Sequence, residues 1–109
     1  MMISAERALD ALGDPTRRLV FKRLREGNRS VQEIADGLKV SRPAVSQHLR
    51  VLKDAGLAVV RIEGTRRLYA IDTRGLESLR GWLDGFWDKT LTAFKQAAER
   101  EAAKQRRSR

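Results

Sequence analysis

The sequence predicts a mainly α-helical domain with one β-hairpin, its elements following the order α-α-α-α-β-β-α. Apolar residues recur at helical spacing over most of the chain, with glycines or capping residues between the runs. The stretch from Leu57 to Ile71 is instead rich in β-branched residues and carries Gly64 near its middle. Only Lys39 and Val40 join the third and fourth helical runs. Two helices connected so tightly form a helix-turn-helix, which here precedes a hairpin.

Composition limits the classes of protein to consider. A chain of 109 residues, 34% charged and 41% hydrophobic, suits one globular domain, predicted over residues 1–97, with a basic and disordered tail at 98–109. The chain has no cysteine, which excludes disulfides, thiolate metal sites and cysteine nucleophiles, and His48 is its one histidine. Without an apolar run of roughly 20 residues or a secretory signal, we expect a cytoplasmic protein that does not enter membranes.

The charge balance points to a polyanionic partner. Lysine and arginine number 23 against 14 aspartates and glutamates, which gives a formal net charge of +9. Such an excess favours nucleic acid through counterion release, although an acidic membrane surface or simple solubility would also explain it.

The first two helical runs lie before Gly27. The first runs from Ile3 to Leu12, and the second begins at Asp14 with Pro15 in its first turn. We expect the second helix to lie deep in the core, burying Leu19, Val20, Phe21 and Leu24. Its basic residues are interpreted as a solvated rim, with phosphate contacts as the alternative.

The third and fourth helices carry the strongest local signals. Ser30 and Glu33 form an S-x-x-E capping box, and Ser41 followed by Pro43 marks the start of the fourth helix. This fourth helix should bury one apolar stripe, formed by Val45, Leu49 and Leu52. Its other face holds hydrogen-bond donors and cations that suit the DNA major groove, and the alternative is an ordinary solvated face. That face comprises Arg42, Ala44, Ser46, Gln47, Arg50 and Lys53.

A hairpin and a long helix complete the chain. The hairpin turns at 63–66 and forms a basic wing with Arg61, Arg66 and Arg67, although such arginines also deter edge-to-edge aggregation. The last helix should run from residue 72 or 73 to about Glu99, roughly 39 Å, and residues 100–109 should fray. Four aromatic residues, Trp82, Phe86, Trp87 and Phe94, fall on this helix. They predict a surface for a second copy of the chain, unless the helix folds back on its own core.

In this combination the sequence resembles the ArsR-type winged-helix repressors, a family of small dimeric transcription regulators. The resemblance covers residues 5–95 and is carried by ALGDPTRRLVFKRL at 11–24, SVQEIADGLKVSRPAVSQHLRVLKDAGL at 30–57 and EGTRRLYAI at 63–71. It implies a dimer joined through the first and last helices, with the fourth helix in the major groove of double-stranded DNA.

The resemblance also implies the residues of each site. The DNA-contacting set is Ser30, Gln32, Ser41, Arg42, Ala44, Ser46, Gln47, Arg50, Arg61, Thr65, Arg66 and Arg67. The set at the dimer interface is Leu9, Leu12, Leu79, Trp82, Leu83, Phe86, Trp87, Leu91 and Phe94.

Two features depart from the family's metal-sensing members. The third helix has no cysteine, and Asp84 and Asp88 on the last helix have no histidine partner, so we expect no metal and no cofactor. Lys39 stands where glycine is common in the helix-turn-helix turn, which predicts a turn without the usual left-handed residue. His48 is expected to be a hydrogen-bonded packing residue, with a phosphate contact as the alternative.

The sequence therefore predicts a homodimeric repressor that binds an imperfect inverted repeat. It leaves open whether this protein only represses its own gene or responds to a small molecule bound between the subunits. The alternative function is a winged-helix module that binds other proteins through the aromatic last helix. An enzyme is not expected, because the chain offers no nucleophile with a neighbouring base.

Overall fold

The structure, a computed structural model, describes residues 4–108. Its elements follow the predicted order α-α-α-α-β-β-α, with a single 3-10 turn at Leu24–Glu26 after the second helix. The helices are α1 at Ala5–Ala11, α2 at Pro15–Arg23, α3 at Val31–Asp36, α4 at Arg42–Asp54 and α5 at Thr73–Arg107. The strands are β1 at Ala58–Glu63 and β2 at Arg66–Ile71. Ile3, expected in the first helix, lies outside the described residues.

Each α-helix begins at a residue whose side chain accepts a hydrogen bond from a backbone N–H of the first turn. These N-caps are Ser4, Asp14, Ser30, Ser41 and Asp72. The capping box between Ser30 and Glu33 is present in both directions, as predicted. Short polar side chains therefore define where the helices start.

The core is organised around α4. Its Val45, Leu49 and Leu52 are fully buried, and they pack with side chains from every other part of the domain. The other large, fully buried side chains are Val20, Leu24, Ile34 and Leu57. The prediction was wrong for Leu19, which is 47% exposed, because it lies about 100° around α2 from the inward-facing Val20.

The hairpin turns at residues 63–66, as predicted. Its register pairs Ala58 with Ile71 and Glu63 with Arg66, so the turn contains only Gly64 and Thr65. Gly64 has a φ of +60°, a conformation that suits the first position of a two-residue hairpin turn. Backbone hydrogen bonds between Arg29 and Tyr69, at 2.9 and 2.7 Å, tie β2 to the loop before α3. The middle of the hairpin is thus fixed to the loop that leads into the helix-turn-helix.

Helix α5 is longer than the sequence pattern indicated. The predictions that it ends near Glu99 and that a disordered tail begins at residue 98 were wrong, because the helix continues to Arg107. Residues 97–107 are mostly alanine, glutamate, lysine and arginine. These residue types have high helix propensity, so they form a helix even though the segment has no apolar stripe. Lysine and arginine in the last turn also complement the negative end of the helix dipole. A prediction based on the spacing of apolar residues therefore does not detect this part of the helix.

The length of α5 gives the molecule an elongated shape. At 35 residues the helix is about 52 Å long, and the molecule measures 76 × 30 × 20 Å. Helix α1 packs against its first part, and its later turns project into solvent. Within residues 4–108, the helices lack the combination of length and apolar content that a bilayer crossing requires.

Candidate nucleic-acid interface

The outer face of α4 is open to solvent. Arg42, Ser46, Gln47 and Arg50 are exposed, and Ala44 between them is half-buried. Ser46 and Gln47 make no hydrogen bond to another residue in the described range 4–108, so their polar groups are available to an external partner. The hydroxyl of Ser41 instead accepts the backbone N–H of Ala44 at 3.3 Å. Ser41 is therefore first of all a helix cap.

A cleft of about 580 Å³ lies beside this face, between the start of α3, the start of α4 and the tip of the hairpin. Six of its lining residues belong to the predicted DNA-contacting set. These are Ser30, Gln32, Arg42, Thr65, Arg66 and Arg67. Residues more than 30 positions apart in the sequence thus converge on one surface. Arg61 lies outside the cleft and pairs with Glu63 at 3.0 Å.

The cleft also contains two carboxylates, Glu33 and Asp36, that the sequence analysis did not place there. Glu33 accepts the backbone N–H of Ser30 at 3.3 Å and the Nη2 of Arg66 at 2.9 Å, and Arg29 lies 3.9 Å away. These partners lower the pKa of Glu33, most strongly through the hydrogen bonds with Ser30 and then through the charges of Arg66 and Arg29. Glu33 is therefore ionised at neutral pH. Its sequence signal was the capping box, which reveals nothing about the hairpin.

The arginines of α2 have structural roles that neither sequence interpretation anticipated. Arg17 and Arg18 donate to the backbone carbonyls of Ala11 and Leu12, which are otherwise unpaired at the end of α1. The half-buried Arg23 donates to the carbonyl of Glu33 at 3.2 Å. Its guanidinium lies so close to Gly37 that a Cβ there would be 2.5 Å from Cζ. These contacts fix α1 and α3 on α2, and so position the cleft.

Comparisons with known proteins agree with this geometry. A family model described as "Bacterial regulatory protein, arsR family" matches residues 14–59, which include α2, α3 and α4. The HTH-type transcriptional regulator Rv2034 of Mycobacterium tuberculosis is 51% identical over 98 residues, 90% of this chain and 92% of that protein. The chain belongs to the ArsR family. It is therefore a DNA-binding transcriptional regulator with a winged helix-turn-helix fold.

Two further proteins show how far the likeness extends. The transcriptional repressor SdpR of Bacillus subtilis is 32% identical over 79 residues, 72% of this chain and 88% of the repressor. A solution structure of a homodimeric winged helix-turn-helix DNA-binding domain from Mycobacterium bovis is 30% identical, with a TM-score of 0.62. That likeness covers 77% of this chain and 78% of the other.

The turn between α3 and α4 of this ArsR-family protein forms without a left-handed residue, as Lys39 led us to expect. In the described part of the chain, positive φ angles occur only at glycines, namely Gly27, Gly56 and Gly64. Gly37, which caps α3, has an ordinary φ of −85°. The helix-turn-helix therefore closes without any residue of positive φ, and Ser41 at the end of the turn is extended.

His48 is half-buried on α4, close enough to Asp14, the N-cap of α2, for its charge to act on that carboxylate. Within residues 4–108 its ring makes no hydrogen bond, so the predicted hydrogen bond is absent, while the packing role and the alternative phosphate contact both stay predictions. The pKa of Asp14 is lowered, mainly by the backbone N–H of Arg17 and to a lesser degree by the charge of His48. Among the described residues no cluster of three histidines or acids could hold a metal ion.

The predicted dimer residues divide into two groups. Leu12 and Leu79 pack against the core of their own chain. Leu9 on α1 is 39% exposed, and the members on the later turns of α5 are between 45% and 75% exposed. These later members are Trp82, Leu83, Phe86, Trp87, Leu91 and Phe94. The apolar stripe of α5, which begins with the packed Leu79, thus continues along turns that the rest of the domain does not cover. On this exposed part the rings of Trp82 and Phe86 stack with their centroids 5.7 Å apart.

Proposed function

We propose that this ArsR-family regulator is a homodimeric repressor that binds an imperfect inverted repeat. The cleft carries the proposal, because it gathers predicted DNA contacts from α3, α4 and the hairpin beside the open face of α4. In this arrangement α4 enters the major groove while the hairpin follows the adjacent backbone. A dimer would then place two α4 helices about 34–36 Å apart, one turn of B-DNA.

Base reading and phosphate binding fall to different residues in this proposal. Ser46 and Gln47 have free polar groups on the outer face of α4. The amide of a glutamine such as Gln47 can form two hydrogen bonds with the edge of an adenine. The cationic residues, namely Arg42, Arg50, Arg66 and Arg67, supply affinity that depends on salt and little on sequence. Ala44 offers a small apolar surface that fits a thymine methyl group.

Dimerisation is supported by the exposed stripe on α5. Six large apolar side chains along one helix would leave a surface that soluble monomers rarely expose. The homodimeric state of the related Mycobacterium bovis domain favours a second copy as the partner. We infer further that the protein works in the cytoplasm without metal, cofactor or catalytic activity. Its regulation is either autorepression alone or release by a small molecule bound between subunits.

Selection of bound duplexes from a random pool tests the proposal. Enrichment of a two-fold symmetric motif that recurs upstream of the protein's own gene is the expected result. If no duplex is enriched at low salt, the repressor proposal fails. The exposed α5 stripe would then favour a module that binds other proteins.

A further inference from the structure

Arg66 at the hairpin tip and Glu33 on α3 form the one side-chain hydrogen bond between the hairpin and α3 within residues 4–108. Arg66 Nη2 lies 2.9 Å from Glu33 Oε1, although the two residues are 33 positions apart. Arg67, the next residue of the hairpin, has no acidic partner in the described range. The carboxylate of Glu33 is therefore paired with one of the three arginines of the cleft, Arg42, Arg66 and Arg67, that could bind a phosphate.

This ion pair is suited to exchange. The side chains of Arg66 and Glu33 are 61% and 40% exposed, and exposed pairs of this kind contribute little to stability. A DNA phosphate also presents two anionic oxygens to a guanidinium, and the neighbouring phosphates make the negative charge around it denser than that around Glu33. The Glu33 carboxylate would keep partners after Arg66 leaves, since the backbone N–H of Ser30 donates to it at 3.3 Å and the Arg29 guanidinium lies 3.9 Å away.

We propose that Glu33 is a positioning residue that holds Arg66 over the cleft in the DNA-free protein and releases it to a backbone phosphate on binding. The inference rests on the proposed DNA contacts of the hairpin. Breaking the ion pair between Glu33 and Arg66 then offsets part of the favourable binding free energy that Arg66 gains from the phosphate. Glu33 consequently limits affinity for every duplex without affecting which sequence is preferred.

Glu33→Gln is the decisive variant, and Asp36→Asn is its matched control. Glutamine keeps the capping box, because its side-chain oxygen can still accept the N–H of Ser30. Asp36 lines the same cleft and loses the same charge, but it makes no ion pair with Arg66. Dissociation constants would be measured by fluorescence anisotropy on the selected duplex and a scrambled one across a salt series.

Glu33→Gln should tighten binding of both duplexes by about two- to fivefold, the range expected from an exposed ion pair. Asp36→Asn should tighten binding less. The slope of log K against log salt concentration should also be steeper for Glu33→Gln than for the wild type, by a fraction of one ion. In the wild type the carboxylate that Arg66 leaves on binding takes up part of a cation, whereas the glutamine does not. Thermal unfolding of both variants should match the wild type and exclude a folding defect.

A double-mutant cycle with Arg66→Ala isolates the contact. In that background Glu33→Gln should have only the small effect of Asp36→Asn. Weaker binding by Glu33→Gln would overturn the inference, since Glu33 would then hold Arg66 on the phosphate in the complex. Equal effects of Glu33→Gln and Asp36→Asn would overturn it too, while leaving the proposed function intact. Absence of salt-dependent binding by the wild type would instead refute the proposed function.

Discussion

The backbone N–H of Gly75 donates a 2.8 Å hydrogen bond to the carbonyl of Gly56. Gly56 follows α4 with a φ of +74°, and Gly75 is buried in the first turn of α5. The helix proposed to read DNA and the helix proposed to form the dimer therefore meet backbone to backbone. This junction sets the direction in which α4 is presented relative to the second subunit.

Gly75→Ala should destabilise the fold. A Cβ at this position would lie 2.7 Å from the carbonyl oxygen of Gly56 and 2.9 Å from that of Ala55, and backbone cannot easily move away. We expect a loss of roughly 1–3 kcal/mol in the free energy of unfolding, typical of overpacking. Denaturant titration would measure it.

Gly81→Ala and Gly85→Ala are the controls for this prediction. A Cβ at either position meets no atom within 4 Å, so each change should stabilise α5 by about 0.5–1 kcal/mol. If Gly75→Ala were as stable as these variants, the close junction between α4 and α5 would be refuted.

Sequence patterns predicted those features that neighbouring residues encode. The caps at Asp14, Ser30 and Ser41, the buried stripe of α4 and the basic hairpin all depend on residues a few positions apart. The pair between Glu33 and Arg66 has no such local signal, because the fold alone brings the two together.

Other features were missed for different physical reasons. Arg23 resembled a surface cation until Gly37 was seen to leave room for its guanidinium. The end of α5 was missed because the helix propensity of residues 97–107, rather than an apolar face, extends it. The DNA contacts of Ser46 and Gln47 remain predictions, as does the role of each α5 side chain in a dimer.

Trp87→Glu should dissociate the dimer. Trp87 is 60% exposed on the apolar stripe, and a charge there would be buried without a partner if a second copy covers it. Sedimentation velocity at micromolar concentration should show a monomer where the wild type forms a dimer. Gly85→Glu adds the same charge on the opposite side of α5 and should leave the dimer intact. A dimer in both variants would remove Trp87 from the interface.

Gln47→Ala should reduce sequence preference more than affinity. Its amide is exposed and unpaired within the described residues, and a lost base contact typically costs about 1–3 kcal/mol of discrimination. The ratio of dissociation constants for scrambled and selected duplexes should therefore fall by roughly 5- to 150-fold. Binding to the scrambled duplex should stay near the wild-type value. An unchanged ratio would show that Gln47 does not read a base.

Asp72→Asn should remove part of the pH dependence of stability. Asp72 is buried to 9% exposure and caps α5, and its carboxylate accepts both the guanidinium and the backbone N–H of Arg74. The guanidinium of Arg74 is the main reason that the pKa of Asp72 lies below its ordinary value of 3.8. Asparagine retains an oxygen for the backbone N–H but not the charge.

The sign of this effect follows from the lowered pKa. As pH falls, the carboxyl is protonated in the unfolded chain before it is protonated in the folded protein, so acid favours unfolding. The contribution of Asp72 is therefore complete above pH 3.8 and disappears as the pH falls through the lower pKa of the folded state. Melting temperatures of wild type and Asp72→Asn should differ most at neutral pH and converge in acid. Asp88→Asn removes a charge at an exposed site on α5 and should follow the wild-type curve of melting temperature against pH. If the melting temperatures of wild type and Asp72→Asn instead differ by the same amount at every pH, the ion pair with Arg74 contributes nothing to stability.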